Sequence, residues 1–300
     1  MTESQAKTKS PPAEPAKLLI AGCGFLGSEI ARQAQAEGWE VEGLVHRPET
    51  AEELRNLLGI PILVGDLGDR ESLRPLAETR QGLDLIHCAS SGRGGAEAYE
   101  RVYLHGTRHL LELFSPRKLL FTGSSSVYGQ TDGSWVTEES PAEPTRKTGR
   151  LLLAAEQATL CHPLGIVARL AGLYGPGRSV ILKKFLRGEA ILEEGGYRYL
   201  NQIHRDDAAA ACLHLLERGQ PGLVNVCDSQ PLTQRECYGF LAEHFQKPLP
   251  REGPRDLNRK RGWSHKRISN QKLQQAGFQA RFHDFREAIL NDPRMRAKAS

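Results

Sequence analysis

The stretch Lys17-Leu18-Leu19-Ile20-Ala21-Gly22-Cys23-Gly24-Phe25-Leu26-Gly27 decides the fold. A short apolar run, 17–21, reads as a buried strand, and 25–37 carries helical periodicity. Between them lies GxGxxG. Gly22 permits a tight turn, Gly24 lets the backbone approach a pyrophosphate, and Gly27 allows close helix–strand packing. The helix start offers free N–H groups and a partial positive charge to that phosphate. A plain structural glycine turn would share the pattern, so its setting must carry the reading.

Working outward, the setting is a long strand–helix alternation. Strands are expected at 40–45, 60–64, 83–88, 118–122 and 166–170, with helices at 50–58, 70–78, 96–114 and 150–160. Such alternation predicts βαβ units, right-handed crossovers and a parallel sheet covered on both faces. The fold class is therefore α/β, a Rossmann-type doubly wound sheet. After Leu170 the rhythm loosens; helices are expected at 206–217 and 233–245, a strand at 223–227, and irregular chain over 247–266. The expected organisation is a disordered tail over 1–16, a dinucleotide-binding domain over 17–171 and a smaller substrate lobe over 172–300. Elements near 203–227 should return to the main sheet.

The 300 residues are 39% hydrophobic and 25% charged, an ordinary globular composition. No apolar run nears the roughly 20 residues of a membrane span. Six scattered cysteines without metal spacing read as reduced thiols, so a cytoplasmic protein with no metal site is expected. Residues 251–300 hold 13 Lys and Arg against 5 Asp and Glu, a net of +8 within an overall +4. A basic segment on a slightly acidic body points to an anionic ligand or to a solvated basic surface. The stretch 251–267 lacks the aromatic interleaving of single-strand binders and any helix-turn-helix signal, which argues against nucleic acid.

Cofactor choice is read at the end of the second strand, where an acid would bond the ribose 2′-hydroxyl of NAD. The sequence there is Leu44-Val45-His46-Arg47-Pro48, with no acid. His46 and Arg47 suit a 2′-phosphate, which favours NADP, with NAD as second choice. Asp66, in Gly65-Asp66-Leu67, is placed to accept from adenine. Cys88, Ala89 and Ser90 follow the fourth strand, where small residues let a cofactor cross the sheet edge. The cofactor set is thus Gly22, Cys23, Gly24, Phe25, Leu26, Gly27, His46, Arg47, Asp66, Leu67, Cys88, Ala89 and Ser90.

With Gly65-Asp66-Leu67 stand His105-Gly106-Thr107, Phe121-Thr122-Gly123-Ser124-Ser125-Ser126-Val127-Tyr128-Gly129, Arg169-Leu170-Ala171-Gly172-Leu173-Tyr174-Gly175-Pro176-Gly177 and His204-Arg205-Asp206-Asp207. Over Lys17 to about Gly277 the chain resembles the extended short-chain dehydrogenase/reductases of the NAD(P)-dependent epimerase/dehydratase kind. That resemblance implies that Ser124, four residues before Tyr128, helps bind the reacting hydroxyl or carbonyl. It also implies a Tyr and a Lys at i and i+4 on one helix, where the Lys lowers the Tyr pKa for proton transfer. Here Thr148 and Leu152 take those places, and neither can transfer that proton. Tyr103 replaces the usual Asn, and the glycine loop is GxGxxG where the family has GxxGxxG. These departures resemble the atypical YeeZ-like subgroup.

The remaining candidates are weighed against core roles. Ser124 and Tyr128 are the catalytic candidates, with packing as the competing role for Tyr128. Tyr103, Arg150, Tyr174 and Arg178 are the substrate candidates; His87 and His204 read as structural. The expected function is an NADP-dependent oxidoreductase or epimerase/dehydratase-like enzyme on a small polar, anionic substrate that bears a nucleotide or phosphate in one version. No nucleic acid or membrane partner is expected, and the sequence leaves room for a homodimer. The competing reading is a catalytically silent dinucleotide-binding redox sensor or partner-binding protein.

Overall fold

Leu18 and Ile20 project from the first strand into one core, with Ile30, Ala31, Ala208 and Leu216. Leu19 and Ala21 project into another, with Leu73, Leu110 and Phe114. Successive strand residues face opposite sides, so an unbroken apolar run means a sheet buried on both faces. The computed structural model describes residues 15–92, 94–256 and 263–295. The tail expected over 1–16 thus falls mostly outside the described residues.

The central sheet comprises β1 (Lys17–Ala21), β2 (Glu40–Val45), β3 (Ile62–Val64), β4 (Asp84–His87), β5 (Lys118–Ser124), β6 (Gly165–Leu170) and β7 (Gly222–Val226). All neighbours are parallel, in the order β3-β2-β1-β4-β5-β6-β7. The direction of winding reverses between β1 and β4, the switch point at which such sheets bind ligands.

Helices α1 (Gly27–Ala36), α2 (Pro48–Leu58) and α3 (Arg70–Ala77) follow the first three strands. The next, α4, runs through Ala96–Tyr99, a π-helical Glu100–His105 and Gly106–Phe114. Such a widened turn re-aims side chains and often marks a functional site. Helix α5 (Lys147–Leu160) begins a turn before the expected 150. Gly149 in its first turn serves close packing, since a Cβ there would lie 2.4 Å from Pro144 Cβ.

Beyond β6 a second lobe forms its own core from Phe185, Leu200, Tyr238, Leu241 and Phe285. It contains α6 (Val180–Leu186), α8 (Gln234–Phe245) and α10 (Phe285–Asn291). Between them α7 (Arg205–Arg218) packs on α1, and β7 joins the main sheet. The short α9 (Gln271–Gln275) lies against β7. A two-residue ladder joins Arg267–Ile268 to Trp135–Val136 and carries the late chain back over the end of β5. Among the described residues no helix is long and apolar enough to cross a membrane.

Candidate functional site

A cleft of about 530 Å³ opens beyond β1 and β4, lined by Gly22, Cys23, Gly24, Phe25 and Leu26. Gly22 has φ +100°, and a Cβ on it would sit 2.2 Å from Ala89 Cα. Gly24 is the opposite case, because a Cβ there meets nothing within 4 Å. Its open side faces the cleft, leaving room for a ligand's phosphates. Gly27 opens α1 tightly under Gly22, whose carbonyl oxygen a Cβ would meet at 2.4 Å. The N–H groups of Phe25, Leu26 and Gly27 donate to no described protein acceptor, and no side chain caps the helix. Three free donors at a helix start form an anion site, and these residues fit a dinucleotide pyrophosphate.

Ala89, Ser90 and Cys88 line the same cleft across the sheet edge. Cys88 Sγ donates to Gly22 O at 3.2 Å, which ties the β4 end to the loop. At the other end stand His46 and Arg47. His46 Nε2 lies 3.4 Å from Asp66 Oδ2. Asp66 also accepts from Arg101 Nη1 and from Gly68 N, both at 2.8 Å. Asp66 and Leu67 fall outside the cleft lining. In this structure the Asp66 carboxylate is engaged by Arg101 and Gly68, and the Leu67 side chain is buried in the core.

A second pocket, about 570 Å³, adjoins the first. Ser124, Leu152, Tyr99, Leu173 and Val180 line both. Ser124 Oγ and Ser126 Oγ share a hydrogen bond of 2.9 Å. Thr148 lines the second pocket and Leu152 the junction, so the register position read from sequence does face the meeting point.

The other candidates divide. Tyr103 lines the cleft, with its hydroxyl accepting from Ser91 N at 3.3 Å. Arg178 lines it too, its guanidinium 5.0 Å above the Phe25 ring. Tyr174 lines the second pocket; burial pushes its phenol well above the usual range. Tyr128 reaches that pocket only with its body. Its hydroxyl donates to Asn225 Oδ1 at 2.9 Å inside the core, and Arg169 covers its ring at 4.7 Å. Burial raises this phenol as well, so Tyr128 is corrected from proton donor to strut. Arg150 is exposed, bonds Thr145 O at 3.4 Å and lines neither pocket, so its substrate role is corrected too.

His87 is wholly buried beside Thr107 Oγ1 at 3.0 Å, and burial lowers its pKa to about 3. His204, lowered to about 4 by burial, accepts from Asp206 N and faces Asp292 at 3.3 Å. These three residues have the proximity of metal ligands. Arg294 instead bridges the two carboxylates, at 2.5 Å to Asp206 and 2.8 Å to Asp292. A guanidinium already holds that place.

The sequence reading missed Lys266. It is buried in the second pocket, and its Nζ donates to Tyr128 O at 2.8 Å. Its signal was faint: Lys266 directly precedes the two-residue strand Arg267–Ile268 in a stretch otherwise read as irregular.

The chain matches the NAD dependent epimerase/dehydratase family over residues 18–227, and it belongs to that family. It is 29% identical to Protein YeeZ of Escherichia coli K12 over 225 residues, 70% of this chain and 77% of that one. It is 26% identical to the 3-diazoavenalumate denitrifying reductase of a Streptomyces species over 271 residues, 82% of this chain and 88% of that one. A solved conserved protein of unknown function from Silicibacter pomeroyi superposes with a TM-score of 0.70 at 26% identity, covering 92% of this chain and 99% of that one. Family membership brings nicotinamide dinucleotide binding and an NAD(P)-dependent, oxidoreductase- or epimerase-like function.

Proposed function

We propose that this family member holds NADP in the glycine-loop cleft and acts on a small anionic molecule in the adjoining pocket. The carrying observation is the charge at the cleft's far edge. Arg47 and His46 line it, no acid ends β2, and the carboxylate beside His46, Asp66, is bonded to Arg101 and Gly68. A 2′-phosphate would meet the Arg47 guanidinium there, whereas a ribose 2′-hydroxyl would find no acceptor at the end of β2.

The chain's own residues then take distinct tasks. Phe25, Leu26 and Gly27 N–H groups hold the pyrophosphate, and Gly24 leaves it room. When bound, the nicotinamide supplies hydride transfer. Ser124, at the meeting of the pockets, orients a carbonyl or hydroxyl oxygen through its Oγ. Thr148 carries an alcohol that does not ionise near neutral pH, and Leu152 carries no charge. Neither supplies the proton transfer of a Tyr–Lys pair.

The basic stretch supports a small ligand over nucleic acid. Arg255 pairs with Glu194 at 2.5 Å and covers Trp263 at 4.0 Å, Arg267 lies over Trp135 at 5.1 Å, and Lys266 is buried. Residues 257–262 of that stretch lie outside the described residues. A second reading, a silent dinucleotide sensor, is favoured by the non-ionising Thr148 and Leu152 alone.

Intrinsic-fluorescence titration tests the cofactor assignment. NADPH should bind at least about tenfold more tightly than NADH, a difference of roughly 1.4 kcal/mol. Arg47→Asp should close that gap. Equal or reversed wild-type affinities contradict it. Turnover of NADPH with a panel of carbonyl compounds separates enzyme from sensor.

A further inference from the structure

The pocket beside the cofactor cleft is lined by cations and by no acid. Among its described lining residues stand Arg146, Arg198 and Lys266, without an Asp or Glu. Arg198 is engaged by Glu193 at 3.2 Å. Lys266 is 3% exposed, and its Nζ makes one hydrogen bond among the described residues, to Tyr128 O at 2.8 Å. An ammonium carries a full charge and three donors, and burying it with the charge unpaired and donors unmet is costly.

The surrounding chain holds this lysine in place. Asn201 Nδ2 donates to Lys266 O at 2.9 Å, and Asn201 Oδ1 accepts from Ile268 N at 2.8 Å. The ladder to Trp135–Val136 fixes the following residues from the other side. The one bond of Nζ also ties it to the reacting region. Tyr128 ends the short turn Ser125–Val127 that Ser124 begins. Lys266 is thereby fastened to the turn that carries Ser124, and both residues line the one pocket.

The polar groups left unmet on this lining point to the missing partner. Trp263 Nε1, an N–H donor, is buried without a hydrogen-bond partner, as is the Tyr174 hydroxyl. The rings of the wall, by contrast, are already covered. Tyr199 stacks on His265 at 5.4 Å and lies under Arg267 at 5.1 Å, and Arg255 covers Trp263 at 4.0 Å. The lining thus offers positive charge and N–H donors, and an oxyanion satisfies both. We propose that Lys266 binds the oxyanion of the substrate, a carboxylate or phosphate group, in the pocket that Ser124 also lines. This deepens the functional reading above and rests on its assignment of the substrate pocket.

The charge on Lys266 gives the proposal a readout of its own. Burial alone lowers its pKa to about 8. The other groups facing the pocket are quiet above pH 7: guanidinium groups do not titrate, burial raises the phenols of Tyr128 and Tyr174, and burial lowers His265 so that it is already neutral. The phenols of Tyr99 and Tyr199 complete the ionisable lining. Behind it, Glu193 pairs with Arg198, Glu138 and Arg169 stand by Tyr128, and Asp132, Arg255 and Arg267 stand by His265. A bound oxyanion favours the charged lysine, so its affinity is full below the free lysine's pKa and falls as pH rises through it.

Isothermal titration of the NADPH-saturated protein with benzoate, phenyl phosphate and neutral benzamide tests this. The ring is common to all three, so differences among them report the anionic group. Carboxylates titrate near pH ~4 and phosphomonoesters near ~6, so neither probe changes its charge much between pH 7 and 9. At least one of the two anions should bind at least tenfold more tightly than benzamide. The tighter of them identifies a carboxylate or a phosphate as the group that the pocket takes. Its affinity should fall roughly tenfold between pH 7 and 9. Lys266→Met should weaken it at least tenfold and flatten the pH profile. Lys266→Arg should keep most of the affinity while also losing the pH dependence. If Lys266→Met does not fold, Lys266→Arg and the wild-type pH profile decide. Binding of neither anion, benzamide binding as tightly as both, a Lys266→Met protein that binds the anion as well as wild type, or a flat wild-type profile would each overturn the proposal. An NADPH titration run alongside separates the two claims, because Lys266 does not line the cofactor cleft. Failure of NADPH to bind, with Lys266-dependent anion binding intact, defeats the cofactor reading alone.

Discussion

The cofactor cleft and the pocket beside it are made in different ways. The cleft is built largely from backbone at strand ends: Gly22 to Leu26 after β1, His46 and Arg47 after β2, and Cys88 to Ser90 after β4. Each piece follows its strand directly. The second pocket draws side chains from seven separate stretches, among them those of Ser124, Thr148, Tyr174, Tyr199 and Lys266. Backbone N–H groups at a helix start serve any pyrophosphate, whereas a side-chain pocket selects one substrate class. The first region therefore reports what the fold holds, and the second what this chain does with it.

The largest effect should come from the strut behind both regions. Glu156 and Arg169 are both buried, with Arg169 Nη2 donating to Glu156 Oε2 at 2.7 Å. Glu156→Ala leaves Arg169 uncompensated and should cost about 3–5 kcal/mol of stability, read by denaturant unfolding. A change under about 1 kcal/mol would mean that water reaches this pair.

Two glycines sharpen the contrast between holding the fold and holding the ligand. Gly22→Ala sets a Cβ into Ala89 at positive φ, so it should lower both stability and NADPH affinity. Gly24→Ala meets no protein atom, so its melting temperature should stay near wild type while NADPH affinity drops about 100-fold, near 2.7 kcal/mol. Equal losses of stability in the two variants would break the distinction.

The smallest effect is expected at Tyr128. Removing its hydroxyl in Tyr128→Phe forfeits the bond to Asn225, about 1 kcal/mol, and leaves NADPH affinity and any turnover unchanged. Loss of turnover with an intact melt would restore Tyr128 as a proton donor.

Legibility in the sequence follows the same division. The sheet and the glycine loop could be read because apolar runs, helical periods and Gly22, Gly24 and Gly27 act locally. Helix α5 begins three residues before the expected 150, where Gly149 packs against Pro144, a contact the local sequence does not announce. The hydroxyl of Tyr128 is captured by Asn225 on β7, and the backbone at Lys266 is held by Asn201 and the ladder to Trp135–Val136. Those partners lie far along the chain, and no local pattern announces them. Asp66 was placed by its motif position, but Arg101 from α4 claims its carboxylate.

The central claim is that cleft and pocket meet at a junction where Thr148 and Leu152 leave proton transfer unserved. The most direct measurement is NADPH oxidation with an aromatic aldehyde by wild type and by Thr148→Tyr/Leu152→Lys. The double variant sets a phenol and an ammonium one helical turn apart on one face, beside Ser124. Its rate should exceed wild type by at least about tenfold, roughly 1.4 kcal/mol of barrier, with NADPH affinity held. No gain in a folded, NADPH-binding double variant, together with loss of wild-type turnover in Thr148→Val, would contradict the account and make Thr148 part of the chemistry.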